Sequence, residues 1–248
     1  MKFSPRFVLL AACICLASLN LSAQETDPKV IIDRARATVG TESALDNLVT
    51  LRLVGRLEPA DRKMPSATIL IVARKPCCQR MEIRVDDIVE TTILKGNKAC
   101  IIRSNLNAEA SQMRELTGPE LDRIRYSTRQ FFKYYRPDHR RGEKVSLAGI
   151  EPRHGKRCYK LSYRFPDGLE TIRFFSLEDD QLVSTVSGNG VESIGLGERI
   201  VDGIKFPERI EYHEDDRKLH SIIFEEILVN QPLAAGIFDI PGQDGKSN

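Results

Sequence analysis

The chain has 248 residues, 37 of them Lys or Arg and 35 Asp or Glu, for a formal net charge of +2. A balance this near to neutral argues against a nucleic-acid binder, which needs an excess of basic residues on one face. Past the N-terminal region no stretch is long and apolar enough to cross a bilayer, and the length suits one large domain or two small ones.

The N-terminus reads "MKFSPRFVLLAACICLASLNLSAQE". Lys2 and Arg6 precede a mostly apolar run from Phe7 to Leu19, and Leu21-Ser22-Ala23 supplies small residues before Gln24. That is the layout of a secretory signal peptide over residues 1–23, cleaved after Ala23. A second reading takes Leu10-Ala11-Ala12-Cys13 as a lipobox that would leave Cys13 acylated, although only the six residues Phe7 to Ala12 form the apolar core before it. Losing Lys2 and Arg6 takes the 37 basic residues to 35, equal to the 35 acidic ones.

Asp27-Pro28 predicts a helix start, because Asp caps and Pro fits the first turn. Ile32, Ala35 and Val39 then recur at helical spacing up to Gly40. A short turn, "TESALDNL", leads into a strand in which Leu51, Leu53 and Leu57 alternate with Arg52, Val54 and Arg56. "ATILIVARKP" and "QRMEIRV" are expected to form one long strand, broken or bulged near Pro76. "IVETTILKGNKACIIR" predicts a hairpin turning at Lys95-Gly96-Asn97. In "GPELDRIRYSTRQFFKYY" a helix places Leu121, Ile124, Thr128, Phe131, Phe132 and Tyr135 on one face. Strands follow again in "RCYKLSYRF", "ETIRFFSL", "QLVSTVS", "VESIGLGERIV", "ERIEYHE" and "KLHSIIFEEILVN". Tyr159, Leu161, Tyr163 and Phe165 share one face of the first of these, as in an antiparallel sheet with one apolar side. The expectation is a mainly β (α+β) chain, residues 24–248, forming a single domain.

In their order these segments resemble the LolA/LolB-like family of periplasmic lipoprotein carriers. The resemblance runs from about Pro28 to Pro241. It is carried by "TVGTESALDNLVTLRLVGRL", by Pro76 and Arg80 in "RKPCCQRMEI", by "ILKGNKACII", by "KFPERIEYHEDDRKLHSIIF", and by Asn230, Pro232, Phe238 and Pro241 in "ILVNQPLAAGIFDIP". It implies an incomplete antiparallel β-barrel whose concave apolar face is covered by a few helices. Many alternating strands must in any case curl to bury one face.

Chemistry-bearing motifs are scarce. Adjacent Cys77 and Cys78 point to opposite faces of a strand and cannot jointly chelate a metal there. A bridge from either to Cys100 is opposed by two strand spacings of about 4.8 Å, whereas one involving Cys158 stays open. In "HEDDRKLH" a turn at Asp216-Arg217 would set His213 opposite His220, two ligands of an incomplete metal site. "SGNGVESIGLG" has no helix behind it to make a phosphate loop, and G-x-S-x-G, H-E-x-x-H and C-x-x-C are missing. No catalytic residue, metal or cofactor is assigned.

The expected function is an exported carrier or sensor that holds lipid or lipoprotein acyl chains in the half-barrel as a monomer. Leu51, Leu53, Met81, Ile83, Tyr159, Leu161 and Tyr163 are the expected lining, with Leu121, Ile124, Phe131 and Phe132 as lid. The alternative is a periplasmic module that recognises an envelope protein without lipid cargo, its cavity filled by side chains. N-terminal sequencing of the exported protein is expected to begin at Gln24; an acylated Cys13 at the terminus would establish the lipobox instead.

Overall fold

The structure, a computed structural model, describes residues 27–166 and 168–242; the leader, its cleavage site and Cys13 lie outside the described residues. The first helix, α1 (Pro28–Val39), starts where expected: the Asp27 carboxylate accepts from the Lys29 N–H at 2.8 Å, and the Gly40 N–H returns to the Arg36 carbonyl. Thr41 caps α2 (Glu42–Asn47) by accepting from the Ala44 N–H.

Six strands follow: β1 (Thr50–Pro59), β2 (Ala67–Arg74), β3 (Cys78–Val85), β4 (Ile88–Lys95), β5 (Lys98–Asn105) and β6 (Ala110–Leu116). After them comes α3 (Gly118–Lys133). The second run is β7 (Lys144–Arg153), β8 (Lys156–Arg164), β9 (Glu170–Ser176), β10 (Leu182–Ser187), β11 (Glu192–Leu196), β12 (Arg199–Val201), β13 (Ile204–Phe206), β14 (Arg209–Glu214) and β15 (Arg217–Val229).

Thirteen of these strands form one antiparallel sheet in the order β6-β5-β4-β3-β2-β1-β15-β14-β11-β10-β9-β8-β7, while β12 and β13 make a separate ribbon. The two edges, β6 and β7, are not paired to each other, so the sheet is an open half-barrel. At its centre β1 sits between β2 and β15, with Leu53 opposite Ile71 and Ile227. The β1–β15 register shifts at Val54/Gly55, where the strands approach so closely that a Cβ on Gly55 would lie 2.1 Å from the Ile223 carbonyl oxygen. Only glycine permits that bulge.

Three strand expectations need correction. The stretch from Ala67 to Val85 is a hairpin, with Ile71 opposite Met81 and a turn at Lys75-Pro76-Cys77. Pro76 has no N–H for a ladder, and the Lys75 N–H turns away to the Val49 carbonyl. "VESIGLGERIV" is two strands in different sheets, parted at Gly197, whose φ is 70°. The β14–β15 turn falls at Asp215-Asp216, both at positive φ, and a bulge at Tyr212/His213 sets His213 opposite Lys218. His220 instead faces Tyr212 and stacks on it with ring centroids 4.6 Å apart.

The C-terminal segment packs on the outside of the sheet. Ile240 joins Ile93 and Cys100 in a buried cluster, Lys95 pairs with Asp239 at 2.6 Å, and the Arg74 guanidinium lies 5.0 Å from the Phe238 ring. Asn230 adopts φ 54°, and its side-chain oxygen accepts from the N–H groups of Val49 and Thr50. Among the described residues no helix is long and apolar enough to cross a membrane.

The helices meet at one side chain. Arg36 is 2% exposed. Its Nε and Nη2 donate to the two Glu42 carboxylate oxygens at 2.9 and 2.7 Å, while Nη1 donates to the Lys133 and Tyr134 carbonyls at 2.6 and 2.9 Å. It ties α1 to α2 and caps the C-terminus of α3. Replacing Arg36 by Met is expected to cost about 3 kcal/mol in urea unfolding, because α3 loses its cap and Glu42 its partner. Glu42→Gln is expected to cost less, about 1 kcal/mol, because that carboxylate is half exposed. The Arg36 hydrogen bond holds the Glu42 carboxyl below its usual 4.5, against the opposing effect of burial. Its contribution is therefore present above pH 4.5 and fades as pH falls through the lowered value, and Glu42→Gln removes that part of the acid sensitivity.

Candidate functional site

Topology places α3. The helix leaves β6, one edge of the sheet, and the chain after it enters β7, the other edge. It therefore spans the concave face. Its apolar stripe falls on the sheet, and only Thr128 and Phe132 become fully buried. The Thr128 hydroxyl donates to Gln79 Oε1 of β3 at 2.6 Å, a buried polar clasp between helix and sheet. The N-terminal end of α3 is held more weakly. Thr117 makes no capping hydrogen bond, and the Arg114–Glu120 pair there is exposed.

Between α3 and the sheet lies an apolar cavity of about 270 Å³. The floor is Leu51 and Leu53 of β1, Ile71 of β2, Ile210 and Tyr212 of β14, and Ile222, Phe224 and Ile227 of β15. Phe206 and Pro207 close one side, and Gln130, Phe131, Tyr134 and Tyr135 come from α3 and its C-terminal turn. Its volume is near the lower bound of ~300–1,000 Å³ usual for small-ligand sites. A surface cleft of about 410 Å³ beside Val49, Arg74 and Asn230 is larger, but it is open to solvent.

One charged group enters this apolar space. Arg173 of β9 is 7% exposed and lines the cavity. Its guanidinium lies 4.5 Å from the Tyr163 ring centroid and 5.5 Å from that of Tyr135. Nη2 donates to Gln130 Oε1 at 2.8 Å, whereas the buried Nη1 has no hydrogen-bond partner among the described residues. Nor does any carboxylate among them pair with it. The Tyr134 hydroxyl is likewise buried and unpartnered. Burial raises both neighbouring phenols, Tyr135 to about 12 and Tyr134 further, so at neutral pH each keeps its proton and can donate.

The expected lining residues fall into four groups. Leu51, Leu53 and Phe131 line the cavity. Phe132 is buried in the same central cluster, and half-buried Met81 and Ile83 pack against it. Leu121 and Ile124 pack on Leu94, Ala99 and Leu116, at the β4–β6 side. Tyr159, Leu161 and Tyr163 are buried with Ile31, Ile32 and Ala35 of α1, so that helix occupies the concave face there.

Cys77, Cys78, Cys100 and Cys158 are all free thiols, and burial raises the Cys100 and Cys158 thiols. Among the described residues no three His, Cys, Asp or Glu side chains converge as metal ligands.

Sequence reasoning missed Arg173, Gln130 and Tyr134. A usable signal was present in "ETIRFFS", where Arg173 shares strand parity with buried Thr171 and Phe175. Ile172 and Phe174 make the opposite face equally apolar, which hid it.

No protein-family model and no curated protein sequence matches the chain. Solved structures do. A DUF1329 family protein from Desulfovibrio piger superposes with a TM-score of 0.58 at 11% identity, over 86% of this chain and 98% of that one. A LolA superfamily protein from Nitrosomonas europaea gives 0.55 at 12% identity, over 87% and 98%. A proposed outer membrane lipoprotein-sorting protein domain from Vibrio parahaemolyticus gives 0.54 at 7% identity, over 84% and 95%. The chain thus has the LolA-like fold, an open antiparallel half-barrel with helices across its concave face.

Proposed function

We propose that the protein is an exported, monomeric carrier or sensor that holds an acyl chain in the cavity beneath α3. The observation that carries this reading is the cavity itself: about 270 Å³ bounded by Leu51, Leu53, Ile71, Ile222, Phe224 and Ile227 and roofed by Phe131. A module that only recognises a protein surface has no need of such a space, and close packing normally eliminates it. The signal-like leader and the fold of the Vibrio lipoprotein-sorting domain support a periplasmic setting.

Burial of an acyl chain is favourable by about 0.8 kcal/mol per CH₂, on the order of 10 kcal/mol for ~14 carbons. A carrier that bound so tightly would also need a way to let go. Here α3 supplies it: its C-terminal end is fixed by Arg36, its middle by the Thr128–Gln79 and Gln130–Arg173 hydrogen bonds, and its N-terminal end by the packing of Leu121 and Ile124 without a side-chain cap. In the proposed release step these contacts part and the helix swings about its C-terminal end, where Arg36 holds it. No catalytic step is involved.

Extraction of gently purified protein, followed by native mass spectrometry, is expected to find an acyl-bearing adduct at one chain per protein. A clean unliganded mass that does not shift on adding lipid would count against the carrier. Phe131→Ser is expected to weaken acyl binding about tenfold with little change in stability, since it removes one cavity wall. Phe132→Ser, in the buried cluster, is expected to cost about 3 kcal/mol of stability instead. If Phe131→Ser binds a labelled fatty acid as well as the parent does, α3 is not the roof of the site.

A further inference from the structure

From the placement of Arg173 we infer that the cavity is built for an anionic amphiphile: an apolar chain ending in a carboxylate or phosphate that Arg173 receives. The inference rests on the acyl-chain reading above and specifies the class of ligand.

A buried guanidinium without a counter-charge is costly, and such groups are ordinarily paired. Arg173 is surrounded by Tyr163, Tyr135 and Gln130, and among the described residues its Nη1 has no hydrogen-bond partner. Ring faces and one amide oxygen offset part of the cost but supply no negative charge. A second unsatisfied donor, the Tyr134 hydroxyl, lines the same cavity. The orphaned Nη1 of Arg173 is a preformed acceptor-binding point, and an arginine fork matches a carboxylate or phosphate with two N–H groups.

The corner also has a direction. Arg173 lies on β9, which in the sheet is three strands beyond β14, the strand that carries Ile210 and Tyr212 of the apolar floor. A ligand lying across the cavity places its chain over β1, β15 and β14 and its anion toward β9. A neutral ester of the same shape offers one carbonyl acceptor but neither the negative charge nor the paired oxygens that the guanidinium fork matches, and that mismatch is the source of selectivity.

The test titrates the full chain, stripped of bound lipid, with palmitate, methyl palmitate and 1-palmitoyl lysophosphatidic acid. At least one of the two anions is expected to bind about 10- to 100-fold more tightly than the neutral ester. Whichever anion binds more tightly identifies the source, free fatty acid or phospholipid. Arg173→Gln is expected to bring the anions down to the level of the ester while leaving the ester within about twofold. Tyr134→Phe, which keeps the ring, is expected to weaken the anions about threefold or more, and it serves if Arg173→Gln fails to fold. Equal binding of ester and anions by the parent protein would overturn the inference and leave the acyl-chain reading standing. Undiminished anion binding by Arg173→Gln would overturn it as well. Binding of none of the three would overturn both.

Discussion

The Arg36 guanidinium is the constraint on which the helical layer depends. It is planar and always charged, and from one buried position it serves a carboxylate on α2 and two carbonyls at the end of α3. The carbonyls it holds belong to the turn where Tyr134 and Tyr135 both take positive φ, at 41° and 75°. Bulky residues rarely adopt that conformation, and it persists when surrounding contacts over-determine it. The turn brings both tyrosines to the cavity. A residue that does not itself line the cavity therefore decides which side chains face it.

The sheet imposes the second constraint. The two strand runs meet at β1 and β15, so the outermost strands are the two that flank α3 in sequence. A helix joining opposite edges of a curved sheet has to cross its hollow side. The concave face is then shared: α1 fills the part over β8 and β9 with Ile31, Ile32 and Ala35, and α3 bridges the part over β1, β2 and β15. The cavity is what remains between them. Its apolar floor comes from β1, β2, β14 and β15 and its charged corner from β9, three strands beyond β14, which is how one small space acquires two chemical characters.

Much of this was legible in the sequence, and the parts that were not have physical reasons. The Asp27-Pro28 start of α1, the period-two pattern of β1, the Gly96 hairpin and the apolar stripe of α3 are all local signals, and each has its expected place. The strand β6 gave no signal because six of its seven residues are exposed and show no alternation. In β7 a register shift at Leu147/Gly149 interrupts the alternation. Pro76 lies at a reversal between β2 and β3, and its missing N–H fits a turn as well as a break within one strand, so sequence alone does not separate the two. The site was legible only as a set of inward-facing positions. Alternation says which side of a sheet a residue occupies, but not whether a helix lies on it. Tyr159, Leu161 and Tyr163 accordingly lie beneath α1, while Leu51 and Leu53 line the cavity beneath α3.

The pairing of β1 with β15 also has a consequence in time. Asn230 binds the backbone at Val49 and Thr50 across a separation of 181 residues to Val49, and β15 supplies Ile222, Phe224, Ile227 and Val229 to the cluster around Leu53. Until the last strand has been delivered, the first has one neighbour instead of two and its apolar side is uncovered. Contacts so distant in sequence form late, because a long loop must close before they offer any stabilisation. A nascent chain of this design cannot complete its centre early. It stays threadable for as long as its C-terminal end is still on the way, which is the state in which a polypeptide can be passed through a narrow channel before it folds.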